Sequence, residues 1–87
     1  MVEIKTQSGF ICELDNKVMD NMELVEAMTE EFPSEAFRNA KIAKLLLGDQ
    51  KAKLYDHIRE DGRVPISTLE RELREIFQAF GSTGKNS

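Results

Sequence analysis

The sequence predicts an α+β fold: an N-terminal β-hairpin followed by a bundle of about four helices. Two observations carry this expectation. Apolar and polar residues alternate with a period of two over residues 2–14, and four later segments repeat their apolar residues at helical spacing between capping or stopping residues.

In the hairpin, Val2, Ile4 and Thr6 alternate with Glu3 and Lys5, and Phe10, Cys12 and Leu14 alternate with Ile11 and Glu13. Thr6-Gln7-Ser8-Gly9 supplies the polar residues and the permissive glycine that a tight connection needs. Two strands alone are marginal in water, so their apolar face requires helices to cover it.

The first helix is expected from about Asp20 to Phe32, with Asp20 as N-cap, Glu23 completing a capping box and Pro33 as the stop. Leu24, Val25, Met28 and Phe32 share one side, and Glu23, Glu26 and Glu30 share the other, as a solvated face or an acidic docking surface. Ser34 caps a second, central helix that closes at Gly48. Ala40, Ile42, Ala43, Leu46 and Leu47 cover its main apolar arc, while Phe37 and Leu45 project toward the side of Arg38, Lys41 and Lys44. A third helix starts at Asp49 and runs to about Arg59, with Leu54, Tyr55 and Ile58 inward.

After the Asp61-Gly62 turn and the extended Val64-Pro65-Ile66 stretch, Ser67 and Glu70 form an S-x-x-E capping box for the last helix. Leu69, Leu73, Ile76, Phe77 and Phe80 make its apolar stripe, and the pairs Glu70 with Arg74 and Arg71 with Glu75 are spaced to interact. Gly81 is expected to end it. The chain then reads as one domain over residues 1–81 and a disordered polar tail over 82–87.

Composition narrows the function. A formal net charge of −4 offers no phosphate-neutralising footprint, which argues against nucleic acid as a partner. No apolar run is long enough to span a membrane, and the start Met1-Val2-Glu3-Ile4-Lys5 lacks a signal peptide's basic and apolar regions, so a cytoplasmic protein is expected. The single cysteine, Cys12, reads as a buried small hydrophobe, and His57 as a solvated or capping histidine. Neither completes a metal site. An EF-hand reading of the Asp61-Gly62 segment fails because His57, Arg59 and Thr68 would fill ligand positions that need carboxylates. No nucleophile–base set or glycine-rich phosphate loop appears, so a binding or assembly protein without catalytic residues, cofactor or metal is expected.

Five stretches carry a family resemblance: Ile-Lys-x-x-x-Gly-Phe at Ile4 to Phe10, the acidic first helix, Lys-Leu-Leu-Leu-Gly-Asp at Lys44 to Asp49, Asp-Gly-Arg-Val-Pro at Asp61 to Pro65, and Ile-Phe-Gln-Ala-Phe-Gly before the Ser82-Thr83-Gly84-Lys85-Asn86-Ser87 tail. In their order and spacing the chain resembles the tail assembly chaperones of long, flexible-tailed phages and prophages of Gram-positive bacteria. The resemblance implies a protein that binds the helical tape measure protein, keeps it soluble and helps tail-tube subunits assemble around it. It also implies action in the host bacterial cytoplasm, absence from the mature virion, self-association in several relatives, and a ribosomal frameshift that yields a longer product.

The resemblance supplies no invariant functional residue. Phe37, Leu45, Phe77 and Phe80 are the candidate partner-binding residues, because they lie off the main core arc or near an element's end. Two other classes remain open: a small acidic regulatory adaptor or antitoxin-like binder using the first helix, and a structural homo-oligomer closed by the second helix.

Overall fold

The computed structural model describes residues 1–84. Its elements follow the expected order: strands β1 (Val2–Lys5) and β2 (Ile11–Leu14), then helices α1 (Met22–Thr29), α2 (Glu35–Leu47), α3 (Gln50–Ile58) and α4 (Ile66–Gly84). The strands pair antiparallel with Val2 opposite Leu14 and Ile4 opposite Cys12. That register puts Ile4, Cys12 and Leu14 on the covered face, together with Phe10 from the loop, and leaves Glu3, Lys5, Ile11 and Glu13 outward. The loop closes through Thr6 N–H donating to the Phe10 carbonyl at 2.9 Å and Gly9 N–H to the Thr6 carbonyl at 3.0 Å. Gly9 sits at φ +95°, a backbone that a side chain disfavours.

Helix α2 is central: it packs against α1, α3, α4 and β2, while α4 covers β1. Its buried arc of Asn39, Ile42, Ala43, Leu46 and Leu47 meets Leu24 and Ala27 of α1, Leu54 and Ile58 of α3, and Leu69, Leu73 and Ile76 of α4 in one core with the hairpin. Gly48 ends α2 at φ +56°, and its N–H donates to the Lys44 carbonyl at 3.0 Å.

Helix α1 is shorter than expected at both ends. Asp20 does not cap it; its N–H closes a preceding turn onto the Lys17 carbonyl at 2.9 Å, and Asn21 caps instead, its side-chain oxygen accepting from Glu23 N–H at 3.0 Å. The helix stops at Thr29, whose hydroxyl bonds back to the Val25 carbonyl at 3.2 Å, a contact that competes with the backbone ladder. Pro33 also disfavours helical backbone at Phe32. The buried side of α1 is Leu24 and Ala27, so Val25 and Met28 stay 41% and 39% exposed rather than joining the core.

Helix α3 begins one residue after Asp49, which makes no side-chain cap bond. The following Glu60–Arg63 segment is a tight two-bond turn, with N···O distances of 2.7 and 2.9 Å and both Asp61 (φ +50°) and Gly62 (φ +78°) left-handed. This turn delivers the chain so that α4 starts at Ile66: the Pro65 carbonyl accepts from Leu69 N–H at 3.1 Å. Ser67 is therefore inside the helix and not its N-cap, and Glu70 bonds Arg74 at 3.1 Å instead of completing a capping box. Gly81 does not end α4, which continues through Gly84. A glycine inside a helix costs about 1 kcal/mol, and Ala79 and Phe80 just before it are packed on the core. Residues 82–84 of the expected tail are helical; residues 85–87 lie outside the described ones.

Candidate partner-binding face

The inner arc of α2 is used by the core, and beyond it lie Phe37, which is exposed, and Leu45, which is half-buried and still packs partly on the core. Phe37, Lys41 and Leu45 follow one another at four-residue spacing, which places them on one ridge. Phe37 is 60% exposed and Leu45 half-buried. Beside them lies an open groove of about 670 Å³ whose apolar part is Phe32, Pro33, Phe37, Ala40 and Leu45.

Its polar part is mostly cationic: Lys41, Lys44 and Lys51, against one carboxylate, Glu23. Lys41 reaches Glu30 at 3.6 Å and lies 5.8 Å from the centre of the Phe32 ring. Lys51 lies 5.3 Å from the centre of the Tyr55 ring, a contact that keeps its charge. A smaller hollow of about 160 Å³ adjoins the groove at Ala40, bounded by Asn39, Tyr55, Val64 and Ile66. Arg38 Nε and Asn39 Nδ2 are buried donors without an acceptor. No protein-family model, curated protein or solved structure matches this chain.

Of the four residues expected to bind a partner, the structure brings Phe37 and Leu45 together on this groove. Phe77 and Phe80 sit elsewhere, half-buried against the core on α4. The lysine border follows from the same helical spacing that set Phe37 and Leu45 apart, except for Lys51, which α3 brings in from beyond the Gly48 turn.

A second cluster joins the hairpin loop to α3 and α4. Thr6 Oγ1 donates to Glu72 Oε1 at 2.7 Å, Ser8 Oγ lies 3.1 Å from Thr6 Oγ1, and His57 Nε2 lies 3.1 Å from Ser8 Oγ and 3.2 Å from the Ser8 carbonyl. The hydrogen directions are fixed by counting protons. Thr6 spends its one proton on Glu72, so Ser8 donates to Thr6 and accepts from Nε2–H of His57. A histidine acting as donor to a serine cannot deprotonate it, and the arrangement is the reverse of an activated nucleophile.

Glu72 has no exposed surface; its Oε1 is paired through Thr6, and its Oε2 lacks a hydrogen bond, with Arg71 Nη2 at 3.9 Å. Its position three residues after Leu69 and four before Ile76 falls inside the apolar arc of α4, which is the signal that could have found it. Burial pushes the Cys12 thiol up to about 11, so it is held protonated and unreactive. Among the described residues no group of His, Cys, Asp and Glu could hold a metal ion, and no helix is long and apolar enough to cross a membrane.

Proposed function

We propose that this chain is a tail assembly chaperone of a long, flexible-tailed phage or prophage of Gram-positive bacteria. It binds apolar stripes of the helical tape measure protein in the host bacterial cytoplasm, keeps that protein soluble while tail-tube subunits assemble, and is left out of the mature virion. The role is binding, not catalysis. The resemblance supplies the client; the observation that carries the physical reading is the α2 groove, where Phe37 is 60% exposed beside Leu45.

Covering the exposed parts of two such side chains contributes only about 2–3 kcal/mol before the entropy of association is subtracted. Each contact is therefore weak. Many copies along one long client gain from avidity, and each remains displaceable by the tube protein.

The test is co-expression with a fragment of the tape measure protein encoded beside this gene. The expected result is a soluble fragment with the unaltered chain and an insoluble one with the Phe37→Asp, Leu45→Asp double variant, whose fold circular dichroism shows intact. A fragment that stays insoluble with the unaltered chain, or soluble with the double variant, overturns the proposal. Loss of binding on neutralising Glu23, Glu26 and Glu30 with the groove intact supports the adaptor reading instead.

A further inference from the structure

The chain carries a formal charge of −4, yet the border of this apolar groove is cationic. Three lysines line that groove and one carboxylate does. Lys41 already has an internal partner in Glu30, whereas among the described residues Lys44 has no ion pair and Lys51 has an aromatic ring as its contact.

We infer that this groove selects an amphipathic helix whose apolar stripe is bordered by carboxylates, and discriminates against the same stripe bordered by lysine or arginine. An apolar ridge fixes where a helix lies, and the charges beside it decide which helices are admitted. From Phe37 to Leu45 the ridge spans about 12 Å, room for about two turns of a partner helix. The occupant is therefore a segment with apolar residues at i, i+3 or i+4 and i+7, and with Asp or Glu on the flank that meets Lys44 and Lys51. Glu23 on the lining excludes a carboxylate from its own end of the groove, so the acidic border is one-sided. The inference rests on reading this face as a binding groove and does not depend on the tape measure protein being the occupant.

Two fluorescent helical peptides with one apolar stripe, bordered by glutamate in the first and lysine in the second, are titrated with the full chain and followed by anisotropy. The glutamate peptide is expected to bind about tenfold more tightly at low salt, the sum of a few exposed charge contacts reversed in sign, with the gap narrowing as salt rises. Lys44→Glu with Lys51→Glu should invert the preference; Lys44→Glu alone, at an exposed position, should narrow it if the double variant does not fold. Equal affinities, or a preference that survives these substitutions, overturn the inference. So does a chain that self-associates on a sizing column and becomes monomeric in the Lys44→Glu variant, because a second copy is then the occupant. Peptides bound equally while a tape measure fragment stays soluble would sink the selectivity and leave the chaperone reading standing. The converse result would sink the chaperone reading alone.

Discussion

The Thr6 hydroxyl donates a 2.7 Å hydrogen bond to Oε1 of Glu72, a carboxylate with no exposed surface. This bond ties the hairpin loop to α4 across 66 positions of sequence, next to the bond that Gln7 N–H donates to Glu75 Oε1 at 2.8 Å. A buried carboxylate is costly unless paired, so Thr6 matters chiefly through what its removal would strand. Thr6→Val is expected to lower stability by about 2–3 kcal/mol, and Thr6→Ser, which keeps the donor, by less than about 1. Replacing both partners, Thr6→Val with Glu72→Met, should cost less than Thr6→Val alone, because no polar group is then left unpaired. Urea unfolding of the variants checks the order; a double variant less stable than the single one would contradict it.

Gln50 performs a comparable service at the outer edge of β2. Its side-chain amide accepts from Glu13 N–H at 2.8 Å and donates to the Glu13 carbonyl at 2.7 Å, filling the place of a neighbouring strand. Gln50→Ala should cost about 1 kcal/mol and speed hydrogen exchange at the Glu13 amide with little change at Cys12. Unchanged exchange at Glu13 would show that the clamp is not maintained in solution.

These two contacts mark where the sequence stops being readable. The hairpin was legible because alternation leaves only one way to bury Ile4, Phe10, Cys12 and Leu14, and that face is the buried one. Helix order was legible for the same reason, since Leu46, Leu54 and Leu73 each fall on a stripe at helical period and each is buried. The burial of Glu72 could be read from its place in the apolar arc of α4, but its bond to Thr6 and the Gln50–Glu13 clamp could not, because no periodicity encodes a long-range hydrogen bond. Helix starts failed at Asp20 and Ser67, where a neighbouring turn had already committed the backbone that a cap would use. Phe37 lies exposed off the core arc of α2 and Leu45 is half-buried against the core; helical spacing sets Lys41 and Lys44 beside them, whereas Lys51 needed α3 folded against the groove.

The core and the groove can be separated by two substitutions on α2. Leu46 is 4% exposed, and Leu46→Ala should cost about 2–4 kcal/mol by emptying a packed site. Phe37→Ala, at 60% exposure, should change stability by less than about 0.5 kcal/mol while weakening partner binding. A large stability loss at Phe37 would assign that ring to the fold rather than to a partner.

Cys12 gives the molecule a defined alkaline limit. Its thiol is raised by burial from 9.0 to about 11, so the folded chain holds a proton that the unfolded chain gives up first. The sign follows: between those values the unfolded state binds fewer protons, and stability falls as pH rises. The contribution is whole below pH 9 and lost as pH climbs through about 11. Cys12→Ala should flatten the decline over that window relative to the unaltered chain, as measured by urea midpoints, even though it lowers stability at neutral pH. A decline of equal steepness in both would remove Cys12 as its cause.

The chaperone reading makes a prediction about the gene that needs no protein at all. A programmed shift one base back requires a slippery heptamer at which both tRNAs re-pair, and Gly84-Lys85-Asn86 admits one: GGA AAA AAC contains A AAA AAC. Thr83-Gly84-Lys85 written ACG GGA AAA admits another, G GGA AAA. Because α4 runs through Gly84, a product shifted beyond that residue would keep the core and the α2 groove unaltered. The longer product should therefore bind the same client through the same face, and Phe37→Asp with Leu45→Asp should disable both forms together. Sequencing the gene and its neighbours should show one of these heptamers, an open frame beyond it, and a large gene for a helical protein downstream. Codons that cannot slip, in a gene with no tail genes beside it, would remove the chaperone assignment and leave the α2 groove as a binding site for some other acid-bordered helix.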